Sequence, residues 1–293
     1  MSGAVPSPTA PLTPSGNLRR RQVFSKLAEY GATAAAVLAV AVLGIVVFTV
    51  VKRGAAAIDL DFLIKGAPEG VGPVLVGSAI IVGIATLIAM PIGILLAIYL
   101  TEYSGRWATN LTRLTLDLMN GLPSIILAFF VFGLLVEASK QQSGFAGSVA
   151  LAIIMVPLIA RGTQEVLLLV PKAQREAADA LGVSRWRAVL GIVLPSALGG
   201  IATSTVLSVA RAAGETAPLL FTTSVFDPSA YSFNPFEALP NAPVRIFQLS
   251  EEANPEAVTE AWGISLVLIS LILFASLGAR ALLARSKRKM GQL

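Results

Sequence analysis

Long uncharged stretches alternate with short polar ones along this chain, and six of them read as membrane-crossing helices. They are Gly31 to Val51, Val74 to Leu100, Leu114 to Val136, Phe145 to Ala160, Leu198 to Phe221 and Gly263 to Leu283. About 20 apolar residues at 1.5 Å per residue cover a hydrocarbon core of about 30 Å. Pro91, Pro123 and Pro157 fall inside these runs and predict kinks, the second of them within Gly121-Leu122-Pro123-Ser124. The first run is too long for a signal-peptide core and lacks a small-x-small cleavage site, so it reads as a retained helix. Trp262 stands at the mouth of the last run, where interfacial aromatics are favoured.

The polar intervals set the organisation. Met1 to Leu18 is rich in Pro, Ser, Thr and Ala without apolar periodicity, a composition that cannot fund the entropy of ordering. The predicted layout is a disordered basic tail over 1–22, a first helix with its outer loop over 23–73, and a five-helix membrane domain over 74–284. That domain contains a polar inner loop at 165–196, and a basic tail follows at 285–293. Thr222 to Ala261 carries Asp227, Glu237, Glu251, Glu252, Glu256 and Glu260 against Arg245 alone, and reads as a solvated outer loop. The fold class expected is all-α, a polytopic integral membrane protein with six transmembrane helices.

Composition narrows the chemistry. Only 13% of the 293 residues are charged, about half the share in a soluble domain. Cysteine and histidine are both absent. That removes disulfides, thiolate nucleophiles, imidazole bases and the usual transition-metal ligands together. No carboxylate pair lies at membrane depth to serve acid–base catalysis, so no catalytic or metal residue is expected. No G-x-x-x-x-G-K-[ST] occurs, so ATP would have to be bound elsewhere. The net charge of +5 reflects membrane topology and not a nucleic-acid partner. Sixteen of the 22 Lys and Arg fall on the side of the termini and the 165–196 loop, five on the other, and Arg211 lies within a span. By the positive-inside rule both termini and that loop are cytoplasmic.

Charge inside a bilayer is costly and marks either a pathway or a paired contact. In the fifth span Ser204, Ser208, Arg211 and Glu215 step by four, three and four residues, within about 40° on one helical face. Ala197 and Gly200 extend that face with small side chains, leaving room for a solute. Pro218 cannot donate to the carbonyl of Gly214, which loosens the helix beside Glu215 and Thr216. With helix entry at Leu198, Arg211 lies about 20 Å in. A guanidinium stays charged when desolvated and forks onto an oxyanion, while Glu215 could hold it when no anion is present. The competing reading is an i,i+4 pair that merely neutralises itself. Arg161, at the end of the fourth span, suits either an anion role or snorkelling to the headgroups. Asp117 and Asn120 read as first-turn residues of the third span.

Between the fourth and fifth spans lies Glu176 to Pro195, EAADALGVSRWRAVLGIVLP. It predicts two short helices hinged at Gly182, with Pro195 in the first turn of the next helix. Glu176 is the expected charged contact, and Ala177 and Ala178 offer a small-residue face that another protein's groove could approach. This stretch resembles the cytoplasmic coupling loop of ABC importer permeases. Ala210 to Leu220, A-R-x-x-G-E-T-A-P-L-L, together with Ile159 to Glu165 and Gly121 to Ser124, is similar to permeases of the PstA type in phosphate ABC importers. Sulfate and molybdate permeases tend to have Gly-Glu-Phe where this chain has Gly214-Glu215-Thr216.

The resemblance implies a type I, MetI-like importer core and a pathway for inorganic phosphate. It associates Arg211 and Arg161 with phosphate passage, beside Glu215, Ser208, Ser204 and Thr216. It implies a sister permease, two ATP-binding subunits that hold ATP and Mg and dock at Glu176, Ala177, Ala178 and Gly182, and an external phosphate-binding protein. No cofactor is then expected in this chain, and the location is a bacterial inner membrane. Another oxyanion is the alternative cargo, and a self-contained channel or carrier the alternative class.

Overall fold

The structure is a computed structural model that describes residues 18–290. It is helical, without strands among the described residues. The long helices are α1 (Leu18–Gly54), α3 (Gly72–Ile98), α7 (Gly144–Leu168), α10 (Leu194–Ala212) and α13 (Pro255–Met290). Shorter ones are α2 (Leu60–Ile64), α4 (Arg106–Gly121), α5 (Ser124–Val131), α6 (Glu137–Ser139), α8 (Lys172–Ala180), α9 (Arg185–Ala188), α11 (Ala217–Thr222) and α12 (Ala242–Glu251). The chain divides into two compact units between Val51 and Lys52. Residues 1–17 and 291–293, with most of the first predicted tail, lie outside the described residues. The remainder of both tails is helical: α1 already begins at Leu18, and α13 runs through the basic residues to Met290.

Among the described residues five helices are long and apolar enough to cross a membrane, and a bent pair brings the number to six. The bent pair corrects the third predicted span. Instead of one rod from Leu114 to Val136, α4 and the helix from Ser124 to Ser139 meet at 97°. Leu122 is extended, at φ −70° and ψ 134°, as the residue before a proline prefers. The amphipathic α4 starts at Arg106, so Asp117 and Asn120 lie near its end and not in its first turn.

Two further spans differ in extent. α7 continues helically past Ala160 to Leu168. The fifth helix runs over 28 residues from Arg185 to Ala212, and reaches Pro195 through a π turn at Val189–Val193. That wider turn accommodates a residue without an N–H. It ends at Ala212, and α11 restarts after Gly214 with Pro218 in its first turn, where a missing donor costs nothing. Arg211 therefore sits in the helix's last turn, still about 20 Å along the axis from Leu198, and Glu215 lies in the turn beyond it.

α7 is the most buried long helix. Ile81, Ala85 and Ala89 of α3 pack on its Leu151, Met155 and Ile159. α10 approaches its other side at small residues. A Cβ at Gly162 would come within 2.5 Å of the Ser204 hydroxyl, and one at Gly200 within 2.4 Å of Val166. In lipid such close approach, and not water exclusion, drives helix association. The face of Ala197 and Gly200 is thus filled by α7, with Ala197 buried, and leaves no room for a solute.

The stretch from Thr222 to Ala261 is folded into the core and is no plain solvated loop. Asn241 is buried; its carbonyl oxygen accepts from Val244 N at 3.1 Å and its amide donates to Thr223 O at 3.0 Å. Gln142 accepts from the backbone N–H groups of Ser224 and Val225 at 2.7 and 2.9 Å. Leu239 and Val244 join the cluster around α3 and α7. Arg245, the lone basic residue of the stretch, is paired with Glu260 at 3.0 Å.

A charged cleft and an exposed elbow as candidate functional sites

The bend in the third span forms one wall of a cleft of about 190 Å³, with Asn120, Pro123 and Ser124 on that wall and Leu158 of α7, Arg211 and Glu215 facing them. Several times a water's share of about 30 Å³, it admits a small oxyanion with some of its hydration. Arg211 occupies the last turn of α10, where a cation is favoured by the unpaired carbonyls. Its Nε lies 3.5 Å from Glu215 Oε1, with the two side chains 60% and 19% exposed. A pair this open is worth about 0–1 kcal/mol. It is held loosely enough for an incoming anion to displace.

The other residues of the predicted polar line do not reach the cleft. Ser204 and Ser208 donate their hydroxyls to Gly200 O and Ser204 O, at 3.1 and 3.0 Å, and Ser208 is buried. Thr216 accepts through its carbonyl from the N–H groups of Leu219 and Leu220 at the start of α11. Arg161 bonds to Asp117 and, at 3.1 Å, to Arg113 O of α4, and a second nitrogen donates to Gln164 at 3.3 Å. It ties α4 to α7 and does not run free toward headgroups. Conversely, Asn120, expected in a first turn, and Pro123, expected as a kink, line the cleft together with Ser124. The signal was the Gly-Leu-Pro-Ser break, which marks a corner as well as a kink.

The elbow follows α7. Pro171 precedes α8 and cannot continue the helix before it. At the other end Gly182 has φ +69°, the left-handed conformation glycine adopts without strain. Its N–H reaches Asp179 O at 3.0 Å, and Val183 N–H reaches Ala178 O at 3.0 Å, the paired closure of a Schellman motif. Glu176 and Ala177 are exposed, as are the large apolar side chains of Leu169, Leu181 and Trp186. Ala178 departs from the expectation: it is buried against its own chain, so the face open to a partner carries Glu176, Ala177 and Leu181.

One side chain here carried no predicted role. Arg175 donates from Nε and Nη2 to Glu102 Oε1 at 3.1 and 2.9 Å, from Nη1 to Val170 O at 2.7 Å, and from Nη2 to Leu167 O at 2.9 Å. Glu102 sits in a π turn, Tyr99–Tyr103, that closes α3.

A helical, multi-pass membrane protein with a charged cleft and an exposed elbow has counterparts of the same fold among solved ABC-transporter structures. A methionine ABC transporter, MetNI, in an inward-facing form superposes with a TM-score of 0.59 at 18% identity, over 77% of this chain and 96% of that one. A bacterial alginate ABC transporter complex gives a TM-score of 0.63 at 15% identity, over 90% and 97%. Residues 89–291 match the family described as binding-protein-dependent transport system inner membrane component, and the chain belongs to it. Among relatives, the phosphate transport system permease protein PstA of Haemophilus influenzae is 39% identical, over 79% of this chain and 85% of its own length. The phosphate transport system permease protein PstA 1 of Mycobacterium tuberculosis is 38% identical, over 72% and 69%.

Proposed function

We propose that this chain is the membrane-spanning permease subunit of an ATP-driven importer for inorganic phosphate, forming the pathway together with a sister permease. The observation that carries the proposal is Arg211, a guanidinium largely exposed on this chain, at the wall of a cleft beside Glu215. Such a charge is costly against lipid. Water or a second permease covering that face would relieve the cost, and an aqueous pathway between two subunits supplies both. Phosphate keeps a proton near neutral pH, which Glu215 could accept as a hydrogen bond, whereas sulfate brings none. The names of the relatives point to the same cargo.

On this reading an external binding protein delivers phosphate. Two ATP-binding subunits hold ATP and Mg and dock on the exposed face of α8 around Glu176, Ala177 and Leu181, moving the spans as levers. Both termini lie in the cytoplasm, following the distribution of Lys and Arg. Phosphate-stimulated ATP hydrolysis by the assembled complex tests the proposal, with sulfate and molybdate run beside it. Stimulation by phosphate above the other two is expected. A preference for sulfate or molybdate would reassign the cargo, and flux through this chain alone would overturn the importer reading.

A further inference from the structure

We infer that Arg175 is a positioning residue for coupling: with Glu102 it fixes the pose of α8 against the ends of α3 and α7, so that displacement of the elbow is passed to the spans. The inference rests on the permease reading above. Of the nine residues of α8 only Ala178 is buried, so packing contributes little to its orientation. No side chain caps its first turn, since Pro171 stands at that position. A hollow of about 230 Å³, lined by Glu102, Arg175, Asp179, Arg185, Val189 and Val193, opens between it, the turn carrying Glu102 and the start of the fifth helix.

Beyond Ala178 and a short contact with the start of the fifth helix, α8 is held by a single guanidinium joining three elements. Leu167, in the last turn of α7, and Val170, just past it, turn their carbonyls to this guanidinium; Leu167 O also accepts from Val170 N–H at 3.3 Å, and a cation is favoured at such a helix end. The π turn inserts an extra residue and presents Glu102, only 6% exposed, to Arg175 at 24%. A planar fork sets direction as well as distance, which a lysine ammonium cannot do. α8 is thereby oriented by a hydrogen-bonded strut one residue before Glu176, and not by a core of its own.

The test uses the assembled complex reconstituted in vesicles, reading phosphate uptake and ATP hydrolysis together. Removing Arg175 alone strands a buried carboxylate, so the informative variant is the pair Arg175→Met with Glu102→Leu, which removes both charges. The pair should assemble and hydrolyse ATP within about twofold of wild type while uptake per ATP falls about tenfold, and Arg175→Lys should lose about threefold. A merely structural role would lower assembly, hydrolysis and uptake in proportion.

A second reading is independent of cargo. The chain contains no cysteine, so spin labels at Gln174→Cys and Leu95→Cys report the distance from α8 to α3 specifically. The distribution should broaden at least about twofold in the paired variant, because a helix freed of its fork samples more orientations. Wild-type uptake per ATP together with an unchanged distance distribution would overturn the strut. Failure of the wild-type complex to transport phosphate would instead strike the permease reading, leaving the label measurement to judge the strut.

Discussion

Two arginine–carboxylate pairs flank α7, and they are built in opposite ways. Arg211 meets Glu215 at 3.5 Å through one nitrogen, four residues apart, with most of the guanidinium open. Arg175 meets Glu102 at 2.9 Å across 73 residues of sequence, and satisfies two backbone carbonyls as well. The first is weak because solvent or an anion can compete for it. The second is costly to break because its acid is buried. The same two residue types therefore yield a contact suited to opening and a contact suited to holding, and the difference lies in burial and in the number of acceptors.

That contrast breaks most readily at the buried end. Arg175→Met with Glu102 left in place should destabilise the protein by about 3–5 kcal/mol, seen as a lower thermal midpoint and less assembled complex. A shift no larger than that of an exposed arginine would make the two pairs equivalent. Arg211→Gln should do the reverse: uptake falls about 100-fold, near 2.7 kcal/mol of barrier, while thermal stability changes by less than about 1 kcal/mol. Arg211→Lys should keep part of the uptake, since it retains charge without the fork.

Smaller effects sharpen the boundary between cleft, elbow and scaffold. Gly182→Ala forces a Cβ into the left-handed region and should cost about 1 kcal/mol, with Gly182→Asn milder. Faster proteolysis of the elbow in Gly182→Ala would register it. Ser204→Ala, which removes a hydroxyl already bonded within its own helix, should alter uptake by less than about twofold and stability by about 0.5 kcal/mol or less. A large loss of uptake there would return Ser204 to the pathway.

The elements visible in the sequence were those governed by local rules. Runs of apolar residues placed the spans, and Gly182 foretold its own left-handed turn. Local rules also explain the misses. Hydropathy alone carried Leu114 to Val136 as one rod, although Leu122 before Pro123 disfavours helix at that point. Periodicity extended α10 to Glu215, where Gly214 and Pro218 mark a stop and a restart. The Arg175–Glu102 pair joins residues far apart in the chain, and neither composition nor spacing encodes that meeting. The stretch from Thr222 to Ala261 reads as solvated because its acids are conspicuous, while the run that buries it, Leu239 to Val244, is short and holds two prolines and an asparagine.

α7 contributes Leu158 to the cleft wall and Leu167 to the grip of Arg175, two points about 14 Å apart along one helix. Bending stiffness over that short length governs how faithfully a push at one point is felt at the other. Pro157 lies just ahead of it and lacks an amide hydrogen to give Ile153, so the rod is most compliant on the cleft side of the stretch. Stiffening that spot would alter the timing of transport without touching either charge.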